Sequence, residues 1–340
     1  ALTWETSSNW DLSLEFGLFN NLLDGSIEYW ERISDDLLYN VPLPLSEGLS
    51  EGPDNIASMV NSGLELSLRA NIIRTNDLRW SLTVNASTLN NEITDLPEPF
   101  VNGSKRWEEG KSRYEYFIYD YAGVDPDNGD ALYYMYEENI DDETGYASFD
   151  PVLDGDGNHQ TSNDYQEAAK SFAGKNTLPD LFGGITNSLS YKGFNLSVLF
   201  TYSLGGYVLD YGYAAMMNEG RYGESLHPDL LNGWRQPGDD TDIPRMENGE
   251  TDLNPTMTTR YLTDASNLIL RNVSLSYSFN DLDLIQNLGI SNLEVFVIGE
   301  NLMTLTAREG LDPSYNLAGT PSGDDYNPAR VISGGLNISF

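Results

Sequence analysis

Phe194-Asn195-Leu196-Ser197-Val198-Leu199-Phe200-Thr201-Tyr202-Ser203-Leu204 carries an apolar or aromatic residue at every even position and a mostly polar residue between them. A strict period of two places the two sets on opposite faces of a β-strand. The pattern recurs in Asn9–Phe19, where Trp10, Leu12, Leu14, Phe16 and Leu18 oppose Asp11, Ser13, Glu15 and Gly17. Gly63–Ile73 sets Leu64, Leu66, Leu68, Ala70 and Ile72 against Glu65, Ser67, Arg69 and Asn71. After Thr75-Asn76-Asp77, Trp80, Leu82, Val84 and Ala86 alternate with Arg79, Ser81, Thr83 and Asn85. The chain ends Ile332, Gly334, Leu336, Ile338 and Phe340 against Ser333, Gly335, Asn337 and Ser339.

Extending this reading predicts eleven strands: 9–19, 25–38, 61–73, 78–91, 113–122, 130–136, 181–191, 194–204, 267–279, 292–302 and 331–340. All fifteen prolines fall outside these spans, as the missing ladder donor requires. Most spans match the roughly 9–11 residues that cross a bilayer when tilted. The connections alternate. Short ones are 20–24, 74–77, 123–129, 192–193 and 280–291; long ones are 39–60, 92–112, 137–180, 205–266 and 303–330. Membrane barrels have short periplasmic turns and long extracellular loops. Tyr29, Trp80, Tyr191, Phe194, Tyr277 and Phe340 gather near the expected periplasmic ends, as an interfacial aromatic girdle does.

Composition is compatible with this. The 340 residues carry a net charge of −35, which argues against nucleic acid, because phosphate contacts need Lys and Arg. Mean hydropathy is −0.41, and no run of eighteen apolar residues offers a transmembrane helix. A barrel strand hides its hydrophobicity in alternation, so the mean looks soluble. Cysteine is absent and only His159 and His227 are present, so disulfides, cysteine-zinc sites and histidine-based triads are not expected. The expected fold class is all-β: an antiparallel meander, residues 1–340 forming about half of a large transmembrane barrel with long extracellular loops. An odd strand number does not close a single-chain bacterial barrel, so upstream strands are expected.

Several short stretches carry a resemblance. They are Trp4-Glu5-Thr6, Phe16-Gly17-Leu18-Phe19, Gly25-Ser26-Ile27-Glu28-Tyr29-Trp30, Asn61-Ser62-Gly63-Leu64-Glu65-Leu66 and Gly123-Val124-Asp125-Pro126-Asp127-Asn128-Gly129. Tyr191-Lys192-Gly193-Phe194-Asn195-Leu196-Ser197, Leu270-Arg271-Asn272-Val273-Ser274-Leu275-Ser276-Tyr277, Gly299-Glu300-Asn301-Leu302 and Gly310-Leu311-Asp312-Pro313 follow in order. Together they resemble the SusC/RagA family of TonB-dependent transporters. The resemblance implies a plugged barrel of about twenty-two strands, whose TonB box, plug and first strands are not in this sequence. It implies import of oligosaccharides or peptides across the outer membrane of a Gram-negative, Bacteroidetes-like bacterium. TonB energy and a SusD-like surface lipoprotein are the expected partners, and Phe340 matches the terminal aromatic of outer-membrane barrels.

Candidate sites lie in the long loops. Trp107, Tyr211, Tyr213, Tyr222 and Trp234 are placed to stack on sugar rings or grip peptide side chains, or else to pack the loops together. Asp154-Gly155-Asp156-Gly157-Asn158, with Asp164 beyond, has the spaced oxygens and glycines of a Ca2+ loop, the one cofactor suggested. Its register is imperfect: with Gly157 at the turn, Val152 and Asn163 fall on the first and last ligand positions. A solvated acidic turn is the alternative. No carboxylate pair has a distinguishing spacing, so no catalysis is expected. A soluble acidic β-sandwich that binds carbohydrate, or a β-rich glycosidase, would share this composition. A soluble sandwich would hide the Trp10–Leu18 stripe against a second sheet, whereas a barrel leaves it bare to lipid.

Overall fold

The computed structural model describes residues 2–42, 46, 48–141, 146–217, 223–246, 255–279, 290–308, 310–311, 319 and 327–340. Among the described residues, nine wall strands form one antiparallel meander. They are β1 (Thr6–Leu18), β2 (Leu23–Pro42), β3 (Glu51–Arg74), β4 (Leu78–Ser87), β5 (Leu181–Tyr191), β6 (Phe194–Leu204), β7 (Asn267–Ser278), β8 (Asn292–Thr306) and β9 (Val331–Ser339). Each pairs with the next in chain order, and a short strand, Asn90–Asp95, adds to the far end of β3. Among the described residues β1 pairs only with β2, and β9 only with β8. The two edges are therefore not joined to each other.

Register carries the alternation across the whole sheet. Leu12, Tyr29 and Leu64 stand opposite one another on β1, β2 and β3. Leu82, Asn187, Val198, Val273, Gly299 and Ile332 form a second row running from β4 to β9. This face is uncovered: Leu12 is 71% exposed, Leu14 63% and Leu64 49%. No second sheet packs on it among the described residues, which opposes a sandwich. Two polar side chains on it are tied to tryptophans. Trp80 Nε1 donates to Asn187 Oδ1 at 2.7 Å, and Trp10 Nε1 donates to Glu31 Oε1 at 3.0 Å. The opposite face carries Ser67, Asn85, Thr83, Ser81, Ser188, Ser197 and Ser274, as a water-facing lumen requires.

Bulges keep the faces in phase. The pairing of β7 with β8 shifts between Leu270 and Asn272, so Leu270 and Val273 both stay on the apolar face. Arg271, freed by the shift, turns its Nε to Thr201 Oγ1 at 3.1 Å and its Nη1 to Asn301 Oδ1 at 3.2 Å. Asn301 itself sits at a φ of 50°, a left-handed conformation that Asn tolerates better than most residues. The Leu270-Arg271-Asn272 and Glu300-Asn301-Leu302 stretches thus build one bulge.

Three expectations are corrected. Segments 113–122 and 130–136 are not wall strands. Glu115–Ile118 pairs with Ser171–Asn176 and Lys105–Trp107, and Tyr121–Val124 pairs with Ala131–Tyr134. Tyr116, Phe117 and Ile118 are successive buried residues, whereas a wall strand must leave alternate residues in water. Among the described residues the wall therefore has nine strands, not eleven, and a single excursion from 88 to 180 joins β4 to β5. Prolines do enter strands: Pro53 pairs with Asn40 and Pro42 with Glu51. Both lie where β2 and β3, at 20 and 24 residues, outrun the bilayer-crossing length. Tyr29 lies not at the hairpin end but beside Trp10, ring centroids 5.3 Å apart. The other girdle residues hold their place. Phe194 and Tyr277 meet at 4.4 Å, and Phe279 meets Tyr277 at 4.6 Å, next to the short hairpin at Lys192-Gly193.

Candidate functional site

The loop excursions at the long-connection end of the wall pack into a cap. Its centre is an apolar cluster of Tyr116 and Ile118 from one excursion with Leu209, Ala214, Ile243 and Tyr261 from another. Tyr116 is fully buried, and its hydroxyl lies 3.0 Å from the carbonyls of both Tyr207 and Gly319. Burial pushes the Tyr116 phenol up to about 12, so it acts here as a neutral donor. A backbone bridge joins the same excursions: Tyr119 N donates to Met257 O at 3.1 Å and Thr259 N to Tyr119 O at 2.9 Å. Asp120 then takes the Thr259 hydroxyl at 3.0 Å and the Tyr136 hydroxyl at 2.8 Å.

Two buried ionisable side chains sit in the cap. Asp210 precedes the short helix α2 (Tyr211–Met216), and its Oδ1 accepts Tyr213 N at 2.9 Å. That is the N-cap role for which Asp is favoured. Its other oxygen accepts the Arg308 guanidinium, with Nε at 2.8 Å. Lys105 is buried against Tyr116, its Nζ 3.0 Å from the ring centroid, 2.7 Å from Tyr114 O and 2.6 Å from Thr177 Oγ1. Burial pulls the Lys105 ammonium down to about 6, while Glu115 pulls the other way.

The predicted aromatic residues are distributed through this cap. Trp107 is 3% exposed; it packs with Tyr39 at 4.7 Å and Phe100 at 5.3 Å in a small core with Ala57, Met59 and Ile93. It has no open ring for a ligand, and the packing alternative describes it. Tyr211 and Tyr213 flank the central cluster on α2. Tyr213 donates to Asp229 Oδ2 at 2.7 Å and meets His227 edge-on at 4.8 Å. Trp234 donates to Pro126 O at 3.3 Å, and a Cβ at Gly129 would meet its ring at 2.4 Å. The indole thus lies on the Asp125–Asp130 turn, which closes through Asp125 N to Asp130 O at 2.8 Å. Tyr222 lies outside the described residues.

The acidic loop does not present converging oxygens. Asp154 Oδ1 accepts the backbone N–H groups of Asp156 at 2.9 Å and Asn158 at 2.8 Å, and Asn158 Nδ2 lies 3.2 Å from Oδ2. These donors, the Asn158 N–H foremost, hold the Asp154 carboxyl below its usual range. They close the loop as an Asx-type turn on the Asp154 carboxylate. Asp164 caps the helix α1 (Tyr165–Ala168) by accepting Gln166 N at 2.9 Å. Among the described residues no three acidic or histidine side chains converge as a metal site. The loop is closed by its own hydrogen bonds, the solvated acidic turn that was the alternative to a Ca2+ loop.

Asp210, Arg308 and Lys105 were not singled out in the sequence. Asp210 had a local signal, an acidic residue ending the apolar run Tyr207-Val208-Leu209. Arg308 and Lys105 had none, since their partners are distant in sequence.

No protein-family model matches the chain. The TonB-dependent receptor P3 of Formosa agariphila is 30% identical over all of this chain and 34% of its own length. The TonB-dependent receptor SusC of Bacteroides thetaiotaomicron is 27% identical over all of this chain and 32% of its own length. In three dimensions the chain resembles the RagAB peptide transporter with a TM-score of 0.82 and 28% identity, over 99% of this chain and 36% of that one. The open-open state of the RagAB peptide importer gives 0.75 at 25% identity, over 35% of its chain. The chain thus spans about a third of the length of the proteins it matches.

Proposed function

We propose that this chain, which is of the SusC/RagA type of TonB-dependent transporter and corresponds to the C-terminal part of such barrels, is wall and cap of an outer-membrane nutrient importer. The observation that carries the reading is the uncovered apolar face, continuous through register from β1 to β9, with a folded cap that the described residues build at the long-connection end of the strands. A lipid bilayer is the environment that such a face fits. The matched relatives are receptors and transporters, and no catalytic step is assigned to the chain.

In the whole transporter the wall encloses a lumen, and TonB supplies the energy through a part of the protein outside residues 1–340. Oligosaccharides or peptides are the cargo. The structure described as a peptide importer favours peptides by likeness, whereas SusC stands beside it among the relatives. A SusD-like lipoprotein is the partner, contacting the loops 137–180 and 205–266. Tyr211, Tyr213 and Trp234 remain the aromatic ligand contacts of this proposal. The bacterium is Gram-negative and Bacteroidetes-like.

Purification of the full transporter from native outer membranes in mild detergent tests this. The expected result is co-purification of a surface lipoprotein and TonB-dependent uptake of labelled glycan or peptide. Recovery in the soluble fraction without detergent would overturn the reading.

A further inference from the structure

Two short turns that touch each other at the rim of the wall depart from the acidity of the chain. Residues 72–80 and 190–195 carry Arg74, Arg79 and Lys192 against Asp77 alone, a net 3 − 1 = +2 in a chain of net −35. The contact between the turns runs from Lys192 N to Asp77 O at 3.1 Å. Arg74 and Arg79 are the last pair of β3 with β4, and like charges directly opposite on neighbouring strands are destabilising. All three cations are exposed, and among the described residues none of them forms an ion pair. Arg74 runs along the rim to the β1–β2 turn, where its Nη1 donates to the carbonyl of Asn20 at 3.3 Å.

Beside these cations stand aromatic residues of the apolar face. Lys192 Nζ lies 5.5 Å from the ring centroid of Tyr191. Tyr191 and Phe194 are exposed, and Trp80 is fixed by its bond to Asn187. A shallow cavity of about 330 Å³ opens at this point of the rim. Its lining comes from both faces: Ile73 and Trp80 from the apolar one, Arg74, Arg79, Ser188 and Ser190 from the polar one. Asp77 stands in the adjoining turn, exposed and outside that lining. Guanidinium groups joined to lipid-facing side chains fit a molecule with both an anionic and an apolar part. A soluble anion would leave Ile73 and Trp80 unused, and hydrocarbon alone would leave the charges unanswered.

We propose that this rim holds an anionic phospholipid of the leaflet that the short turns meet. Arg74, Arg79 and Lys192 take the phosphate through charge-assisted N–H bonds, and the acyl chains run along Ile73, Trp80 and Phe194. Ser188 and Ser190 provide hydroxyls beside the headgroup. The long stems of Arg and Lys let a charge rooted at a strand end swing to the interface. Each basic group near anionic lipid adds about fivefold in affinity, and interfacial aromatic residues fix the level of the headgroups. The inference rests on the reading of the wall as membrane-inserted.

The test uses the full-length protein, stripped of lipid and returned to nanodiscs of equal parts phosphatidylglycerol and phosphatidylethanolamine with identical acyl chains. Native mass spectrometry counts the lipids that stay bound on release. The parent should keep phosphatidylglycerol in preference. K192Q should keep it about fivefold less well, R74Q/R79Q/K192Q should show no preference, and the charge-conserving R74K/R79K/K192R should retain it. Phosphatidylglycerol with a photoreactive acyl chain should link within residues 72–80 or 190–196 of the parent. Equal retention of the two lipids by the parent, an undiminished preference in R74Q/R79Q/K192Q, or links only elsewhere on the wall would overturn the proposal. So would release of the lipid by inorganic phosphate, which would mark a site for free anions. Heat-modifiable gel migration reads the barrel in every variant, and K192Q, in an exposed turn, decides if the triple variant fails to fold. Parent protein without a heat-modifiable band would sink the wall reading, whereas a normal band without lipid preference sinks the lipid site alone.

Discussion

Arg308 Nε lies 2.8 Å from Asp210 Oδ2, and this contact ties two loop excursions 98 residues apart. The Asp210 carboxyl is 3% exposed, and its second oxygen caps α2. Breaking a buried pair by removing one partner leaves an uncompensated charge and costs about 3–5 kcal/mol. Arg308 keeps a quarter of its side chain in water, so R308A should fall at the low end of that range. The cost should appear in the cap rather than the wall. Hydrogen exchange should quicken in Tyr207–Met216 and Thr259–Asp264, with β5 and β6 unchanged.

The apolar face makes a second expectation. Val198 lies in the middle of β6, between Asn187 and Val273 on the uncovered face. A buried arginine at the bilayer midplane costs about 2–4 kcal/mol in such barrels. V198R should therefore lower the yield of heat-modifiable, membrane-inserted protein. S197R, one residue away on the polar face between Ser188 and Ser274, should insert as the parent does. Equal loss in both variants would count against the assignment of faces.

Lys105 gives the cap a pH dependence with a definite sign. Its folded-state value of about 6 lies below the ordinary 10.5. Between those values the unfolded chain binds the extra proton, so cap stability rises with pH. The window runs from about pH 6 upward, and the penalty is largest at its acid end. Thermal unfolding of the cap followed from pH 6 to pH 9 should show a rising midpoint in the parent and a flatter one in K105M. A midpoint that falls with pH would mean that the ring, carbonyl and hydroxyl contacts of Lys105 outweigh its burial.

The short hairpin between β5 and β6 rests on Lys192 and Gly193, at φ values of 45° and 89°. Two successive positive φ values match the twist of a two-residue hairpin. A Cβ at Gly193 would also lie 2.9 Å from the carbonyl of Ser278 on β7. G193V should therefore slow assembly of β5 to β7, read as accumulation of unfolded protein in a refolding time course, while K192N is tolerated.

The wall was largely legible in the sequence because a membrane strand must repeat every two residues. Leu196, Val198 and Phe200 announce a face wherever they stand, and the meander follows from the short hairpins. The cap was less legible. Tyr116-Phe117-Ile118-Tyr119 has the aromatic and β-branched content of a strand, and part of it is a strand. It is buried on both sides within the cap, so composition alone assigned it to the wall. Bulges hid the far ends of β2 and β3: at Asp36, with a φ of 55°, the register shifts and the alternation slips. The site residues were hardest, because Asp210 with Arg308 and Lys105 with Thr177 are pairs made only by the fold. Trp107 read as a ligand contact because sequence does not reveal that Tyr39 and Phe100 cover it.

The central claim is that one face of this sheet meets lipid and the other meets water. The direct measurement is a cysteine scan along β6, from Asn195 to Thr201, in the full-length protein in its native membranes. Each variant is labelled with a membrane-soluble and with a water-soluble thiol reagent. The segment has no cysteine of its own. The expected result is alternation: L196C, V198C and F200C react from the lipid phase, and N195C, S197C and T201C from water. Uniform reactivity with the water-soluble reagent, without a period of two, would contradict it.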